Sequence, residues 1–260
     1  MVDPKVVAAI IAAVAGEVIL PRFNKLAAHE ISSKSGPRDL VTIADLESEK
    51  LLSERLTALL PGSLVVGEEG VAADRAVLDR LDGPNPVWIL DPVDGTVNFT
   101  QGLPAFGVIV ALVQQGRTVA GWIHDPPAGR TAWAMAGEGA WMDDRRLAVA
   151  APVPPAKMEG AFYSKNRLNR LAAGVARRVC SGCAAHDYLR VVEGRLHFAL
   201  FTRMMPWDHA AGVLIHAEAG GHSEIVGQGP YRPKPAEGML ILAPDVKSWT
   251  ELRDLAASPV

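Results

Sequence analysis

The sequence has few of the features that mark specialised protein classes. Two cysteines among 260 residues, Cys180 and Cys183, are too few for a disulfide framework, and this scarcity is typical of a reducing cytoplasm. The net charge of −3 provides neither a basic field for nucleic acid nor a polybasic patch for a membrane surface. With 49% hydrophobic and 21% charged residues, the composition is that of an ordinary globular protein. We therefore expect a cytoplasmic protein that binds neither nucleic acid nor membrane.

The N-terminal apolar run, residues 6–15, resembles a short signal peptide in composition but not in its flanks. Lys5 supplies one positive charge, Asp3 supplies a negative one, and the apolar pattern continues beyond residue 15. Asp3 followed by Pro4 is a favourable helix start. A run of this length is too short to span a bilayer. The sequence therefore predicts a mostly buried first helix.

One stretch combines a buried strand with two carboxylates. Residues 87–90 are all apolar, which predicts a strand buried on both faces, and the sequence DPVDGTVNF follows at 91–99. Unpaired buried carboxylates are strongly unfavourable, and a bound cation is the usual remedy. Gly95 allows close approach of the backbone to a ligand, and Thr96 and Asn98 offer polar groups to a phosphate. The stretch predicts a divalent-metal site that faces a phosphate.

Two other kinds of turn can contain residues of this type. A strand end followed by an Asp-Gly turn, with the acids acting only as turn formers, stays open. An EF-hand loop fits poorly because Val93 and Val97 occupy alternate positions and no closing Glu follows. Hard oxygen ligands favour Mg²⁺ or Mn²⁺ over zinc. Cys180 and Cys183 lack a second ligand pair, so we expect both to be small buried residues.

The stretch 91–99 resembles the signature of the inositol monophosphatase family, which comprises Mg²⁺-dependent, lithium-sensitive phosphomonoesterases. Two further blocks match that family, GEE at 67–69 and WDHAAG at 207–212, and together they cover nearly the whole chain. The resemblance implies hydrolysis of a small phosphate monoester of the inositol 1-phosphate type by metal-activated water. It also implies an α/β (α+β) fold, the layered α/β/α/β/α sandwich shared with fructose-1,6-bisphosphatase. Two or three Mg²⁺ ions, with Mn²⁺ as a possible substitute, and a homodimer are expected on the same basis.

The resemblance assigns roles to individual residues. The implied metal ligands are Glu68, Asp91, Asp94, Asp208 and the carbonyl of Val93. The implied catalytic residues are Glu68, Thr96 and Asp45, with Asp45 orienting Thr96 toward the attacking water. The implied substrate and phosphate contacts are Lys34, Gly95, Thr96, Gly182, Cys183, Ala184, Phe201 and Arg203.

Several of these residues also have ordinary structural explanations. Asp45 falls in the first turn of a predicted helix, and Asp208 falls where an N-cap of a helix over 208–219 is expected. Arg203 could be a solvated side chain. Phe201 stands seven positions before Asp208, where inositol-specific members of the family carry an acid that binds inositol hydroxyls. We therefore expect inositol 1-phosphate to be accepted but not strongly preferred.

The remaining sequence predicts two halves. Short strands at 108–113, 119–124, 131–135 and 139–142 indicate an antiparallel meander, and residues 32–39 are expected to form a loop. The Pro- and Ala-rich segment 148–157 predicts a boundary between an N-terminal α+β half, 1–150, and a C-terminal α/β half, 151–260. The first half would carry most metal ligands, and the second would contribute Asp208 and the substrate pocket. Fructose 1,6-bisphosphate, histidinol phosphate or a nucleotide 3′-phosphate as substrate, or a catalytically silent scaffold, are the alternatives.

Overall fold

Five layers of secondary structure make up the protein. The computed structural model describes residues 2–36, 39–163 and 168–257. Two large sheets enclose a pair of helices, and further helices cover the outer face of each sheet. This is the α/β/α/β/α arrangement that the resemblance implied.

The N-terminal elements are helices and a hairpin. They are α1 (Pro4–Val14), its continuation through a π-helical turn (Ala15–Ile19) and a 3₁₀ turn (Leu20–Arg22), β1 (Ile31–Gly36), β2 (Asp39–Thr42) and α2 (Ile43–Leu59). β1 and β2 pair in antiparallel fashion, so the predicted loop over 32–39 is wrong for the residues described. Polar composition suggested a loop, but pairing with residues 39–42 makes the segment a strand.

The first large sheet has seven strands in chain order. They are β3 (Leu64–Gly67), β4 (Val87–Asp94), β5 (Gly107–Gln114), β6 (Arg117–Asp125), β7 (Arg130–Met135), β8 (Ala140–Met142) and β9 (Arg145–Arg146). The connections are α3 (Glu68–Ala73) with a 3₁₀ helix (Arg75–Asp82) before β4, and α4 (Thr96–Thr100) after it. β3 and β4 are parallel, while β4 to β9 pair in antiparallel fashion. The predicted meander is confirmed.

The second large sheet has five strands in the order β11-β10-β12-β14-β13. Its elements are β10 (Glu159–Phe162), α5 (Asn169–Gly174), β11 (Arg177–Val179), α6 (Ala184–Val192), β12 (Phe198–Phe201), α7 (Pro206–Glu218), β13 (His222–Ile225), β14 (Leu240–Ala243) and α8 (Val246–Ala257). β11 lies at one edge of this sheet, where residues 177–179 pair in parallel with β10.

Three hydrophobic clusters hold the layers together. α1 and α2 pack on one face of the first sheet through side chains such as Leu52 and Trp88. α6 and α7 fill the space between the sheets, where Tyr188 and Ile215 join residues from both. α5 and α8 cover the outer face of the second sheet. The chain crosses from one sheet to the other along residues 147–158, and the division at residue 150 stays a prediction.

Among the described residues, one helical stretch is long and apolar enough to cross a membrane by length and composition, Pro4–Arg22. It has 19 residues, so it is longer than the apolar run suggested, and 33% of it is buried. Less than half of this stretch is buried, so the prediction that the first helix is mostly buried is wrong. Val7, Ile11 and Val14 form the buried face and join the core beside α2.

Candidate active site

Two neighbouring parallel strands deliver acidic residues to the same edge of the first sheet. The register pairs Gly67 of β3 with Leu90 of β4. Glu68 comes directly after Gly67 and Asp91 directly after Leu90, so the two acids lie at the same level of the sheet. The pairing of β4 with β5 shifts between Asp91 and Asp94, at the predicted turn. Gly95 then takes a left-handed φ of 84°, and a Cβ there would lie 2.8 Å from the carbonyl oxygen of Ala105. Glycine is required at this position for conformation and for space.

Three carboxylates converge beyond this edge. Asp91, Asp94 and Asp208 each offer an oxygen, and these atoms lie within 4.8 Å of one another. The N-cap of α7 is Met205, so the alternative interpretation of Asp208 as an N-cap is wrong. Burial, and then the charge of Glu68, raise the pKa of Asp91 well above its usual value. Burial also raises the pKa of Asp94 to about 6, against the opposing hydrogen bond from Cys183.

The cluster has the properties of a cation site. Oδ1 of Asp91 is buried and has no hydrogen-bond partner in the part of the chain that the structure describes. A buried carboxylate oxygen without a partner is unfavourable, and so is the mutual repulsion of three acids. A hard divalent cation such as Mg²⁺ would relieve both, and carboxylate oxygens are its preferred ligands. The donor set therefore fits Mg²⁺.

Lys34 interacts with the acids that follow β3. Its Nζ lies 2.8 Å from Oε1 of Glu68 and 2.6 Å from Oε1 of Glu69. Burial lowers the pKa of Lys34, but the two carboxylates outweigh burial and raise it overall. Glu68 is thus paired with a lysine and lies outside the group of three carboxylates, but after burial its charge is among the causes that raise the pKa of each of the three. Lys34 was predicted to contact substrate, but in the structure its amino group forms ion pairs with Glu68 and Glu69.

Thr96 and Asp45 lie beside the cluster, as the resemblance implied. The Thr96 hydroxyl is 3.0 Å from the carbonyl oxygen of Val93 and 3.3 Å from Oδ1 of Asp45. Asp45 also accepts the backbone N–H of Thr42, so it caps α2 and contacts Thr96 at once. Burial raises the pKa of Asp45 to about 6, although the hydrogen bonds from Thr42 oppose this. The Val93 carbonyl already accepts one hydrogen bond and keeps a second lone pair for another ligand.

The segment before α6 holds Asp94 from the other side. The Cys183 thiol donates to Oδ2 of Asp94 at 2.9 Å, and the Ala185 N–H donates to the same oxygen at 2.6 Å. Cys183 is buried, but Cys180 is exposed, so the prediction that both cysteines are buried is wrong for Cys180. Nothing in the local sequence distinguishes the two cysteines; their exposure follows from which one faces Asp94.

Asn98 has a structural role in place of the predicted phosphate contact. Its amide donates to the carbonyl of Ala105 at 2.7 Å and to that of Ser181 at 2.8 Å. Both amide protons are therefore used to connect the turn after β4 with the segment before α6. The suggestion that this amide binds phosphate is wrong.

These residues surround a cleft of about 360 Å³. Its lining includes the acids and turn residues Glu68, Asp91, Asp94, Gly95, Thr96 and Asp208. It also includes Phe162, Tyr163, Gly182, Cys183, Ala184, Phe201, Arg203 and His209. The structure thus brings the predicted residues of both halves to one cleft, except that Asp45 lies behind Thr96 and Lys34 lies beyond Glu68.

The family model for the inositol monophosphatase family matches residues 4–253. The chain belongs to this family. It is a metal-dependent phosphomonoesterase. The inositol-1-monophosphatase of Mycobacterium leprae is 37% identical over 224 residues, which cover 80% of this chain and 74% of the relative. The fructose-1,6-bisphosphatase/inositol-1-monophosphatase of Thermotoga maritima is 32% identical over 196 residues, covering 74% and 73%.

Solved structures agree with this membership. An IMPase of Thermotoga maritima superposes with a TM-score of 0.82 at 26% identity, covering 97% of this chain and 95% of that one. The extragenic suppressor protein suhB of Bartonella henselae gives a TM-score of 0.83 at 26% identity, covering 98% and 100%.

Three residues at or near this site were not predicted from the sequence of this inositol monophosphatase family member. His209 lines the cleft; its ring accepts a hydrogen bond from the Tyr188 hydroxyl at 3.0 Å and donates one to the Arg203 carbonyl at 2.7 Å. Asp187 also lines the cleft, and burial raises its pKa to about 7. Glu49 binds the backbone after β3, and its position one helical turn after Asp45 was the available signal.

Proposed function

We propose that this chain uses Mg²⁺ to hydrolyse small phosphate monoesters with water, without a covalent intermediate. The observation that carries the proposal is the convergence of Asp91, Asp94 and Asp208 within 4.8 Å, on the cleft that Thr96 also lines. Glu68 and the Val93 carbonyl complete the proposed ligand set for two or three ions, with Mn²⁺ as a substitute.

In this mechanism the residues of the cleft position the water, the phosphate and the metal ligands. When bound, Mg²⁺ supplies Lewis-acid chemistry, lowering the pKa of water and neutralising charge on the phosphate oxygens. The Thr96 hydroxyl accepts a hydrogen bond from the attacking water, and Asp45 holds that hydroxyl in place. The backbone N–H groups of Gly95 and Thr96 hold the phosphate. Cys183 and Ala185 fix the orientation of Asp94.

A phenyl ring in the lining of the cleft, that of Phe201, limits substrate preference. Phe201 stacks on Tyr188 with ring centroids 5.1 Å apart, and a phenyl ring cannot accept hydrogen bonds from sugar hydroxyls. The Tyr188 hydroxyl is already bonded to His209. Position 201 therefore offers no acceptor to a polyol hydroxyl, and a site without that acceptor discriminates weakly. Inositol 1-phosphate, the substrate in the names of several relatives, is therefore accepted but not strongly preferred.

Arg203 supports a second class of substrate for the same site. It lies on the cleft, and its positive charge acts on Asp208: burial raises the pKa of that carboxyl, and Arg203 opposes the rise. A guanidinium binds phosphate or carboxylate through paired hydrogen bonds. A bisphosphate such as fructose 1,6-bisphosphate fits that chemistry, and one relative carries this activity in its name. Histidinol phosphate and nucleotide 3′-phosphates are the other substrates to compare.

We also propose a cytoplasmic homodimer in which the N-terminal half, 1–150, supplies most metal ligands and the C-terminal half supplies Asp208. The scarcity of cysteine supports the compartment, and the resemblance supports the dimer. A catalytically silent scaffold is disfavoured, because a scaffold has no need of buried acids that repel one another.

A phosphate-release assay tests the function. The purified chain, dialysed against a chelator and then given Mg²⁺, is compared across inositol 1-phosphate, fructose 1,6-bisphosphate, histidinol phosphate and glycerol 2-phosphate. We expect no release in chelator, release from several esters with Mg²⁺, and kcat/KM values for inositol 1-phosphate within about tenfold of the best ester, roughly 1.4 kcal/mol of differential transition-state binding. Full activity in chelator would overturn the metal mechanism. A hundredfold preference for inositol 1-phosphate would overturn the argument from Phe201.

A further inference from the structure

The helix that begins at Glu68 is capped by a side chain from a different helix. The first N–H groups of a helix have no partner within it, and the N-cap of α3 is Gly67, which has no side chain to bind them. The Glu49 carboxylate of α2 takes this role. Its Oε2 accepts the N–H of Glu69 at 2.8 Å, and its Oε1 accepts the N–H of Gly70 at 2.7 Å.

Gly67 makes room for this carboxylate. A Cβ at Gly67 would lie 2.2 Å from Cδ of Glu49 and within 2.5 Å of both its oxygens. Any other residue at position 67 would push the carboxylate away from the N–H groups that it binds. The glycine before the two glutamates is thus explained by the approach of Glu49.

Glu68 lies between the two points that Glu49 contacts. Gly67 on its N-terminal side packs against the carboxylate, and Glu69 on its C-terminal side donates to it. The backbone of Glu68 is therefore fixed on both sides. Because the backbone conformation restricts which rotamers a side chain can adopt, Glu49 limits where the Glu68 carboxylate can point, and Lys34 then binds it.

The same helix also positions Thr96. Asp45 and Glu49 are one turn apart on α2, so they lie on one face of the helix. Asp45 reaches Thr96 and Glu49 reaches the start of α3. One helix, α2, thus contacts both Thr96 and the backbone next to Glu68, the acid proposed as a metal ligand.

We propose that Glu49 is a positioning residue for metal binding: by capping α3 it orients the Glu68 carboxylate toward the cluster of Asp91, Asp94 and Asp208. This inference rests on the proposed function for the role of Glu68. Glu49 itself contacts neither the cleft nor the three carboxylates.

Mg²⁺ binding to Glu49→Ala, measured by titration calorimetry, is the primary test. We expect the dissociation constant for Mg²⁺ to rise about tenfold, because the ligand Glu68 must be ordered on binding instead of beforehand. Glu54→Ala is the matched control, since Glu54 lies on the same helix and is exposed. The Mg²⁺ concentration for half-maximal phosphate release should rise in parallel, while kcat at saturating Mg²⁺ stays within about threefold of the parent.

Two more variants separate positioning from general stability. Glu49→Gln keeps one oxygen acceptor and should give an intermediate Mg²⁺ affinity. Gly67→Ala leaves Glu49 in place but displaces its carboxylate, so it should reproduce the Glu49→Ala defect, and it carries the test if Glu49→Ala does not fold. Lower melting temperatures with unchanged Mg²⁺ affinity in these variants would overturn the proposal. Calorimetry requires no turnover, so absence of phosphatase activity in the parent would refute the proposed function separately.

Discussion

Replacing Asp94 by Asn should stabilise the metal-free protein while abolishing its activity. Two of the hydrogen bonds to Asp94, from Cys183 and Ala185, end on Oδ2, and an amide oxygen in that place keeps both; the Ala184 N–H also acts on this carboxylate. The amide nitrogen then replaces Oδ1 and can donate to the remaining acids. The substitution therefore removes one charge from the cluster with little loss of structure.

The size of the effect follows from the pKa of Asp94. A rise from 3.8 to about 6 means that the folded state holds this proton more tightly than the unfolded chain does. Metal-free stability consequently falls as the pH rises from about 4 to about 6, and the full cost, roughly 3 kcal/mol, is present at pH 7.5. At pH 5 about half of it remains. Asp94→Asn should recover this free energy, which corresponds to roughly 6 to 12 °C in Tm for a chain of this size.

Thermal and denaturant unfolding in chelator at pH 7.5 and pH 5 measure this directly, with exposed Asp79→Asn as control. The gain should be larger at pH 7.5. Added Mg²⁺ should raise the Tm of the parent more than that of the variant, because the variant has lost a charged ligand. An Asp94→Asn protein that is less stable than the parent at pH 7.5, or that hydrolyses substrate at the parent rate, would refute the reasoning.

The other predictions concern the same cleft. Millimolar Li⁺ should inhibit phosphate release at saturating Mg²⁺, since a small hard cation can occupy an oxygen site without supplying the full charge; an insensitive enzyme would lie apart from the lithium-sensitive branch of the family. Phe201→Glu should raise kcat/KM for inositol 1-phosphate relative to glycerol 2-phosphate by about tenfold, whereas Phe201→Leu should leave the ratio unchanged. Thr96→Ala should lower kcat by about a hundredfold and Thr96→Ser much less, because serine keeps the hydroxyl that contacts Asp45; equal effects would show that the hydroxyl is dispensable.

The sequence alone was sufficient to predict the strands and turns that depend on residues close together in the chain. The apolar run before Asp91 and the turn residue Gly95 predict a strand that ends in two acids. Parallel pairing of β3 with β4 then brings Glu68 and Asp91 to one edge of the sheet. Alternation and turn residues likewise predict the antiparallel meander, because hairpins depend on local chain geometry.

The contacts between residues far apart in the sequence could be assigned only from the tertiary structure. Cys183 reaches Asp94 across 89 positions and Asn98 reaches Ser181 across 83, so no local pattern could assign their partners. Lys34 pairs with Glu68 for the same reason, and Asp208 could be separated from an N-cap only by the observed start of α7. These contacts arise because α6 and α7 pack between two sheets built from distant parts of the chain. Periodicity and turn chemistry describe each element, but only the packing of one layer on another determines which side chains share the cleft.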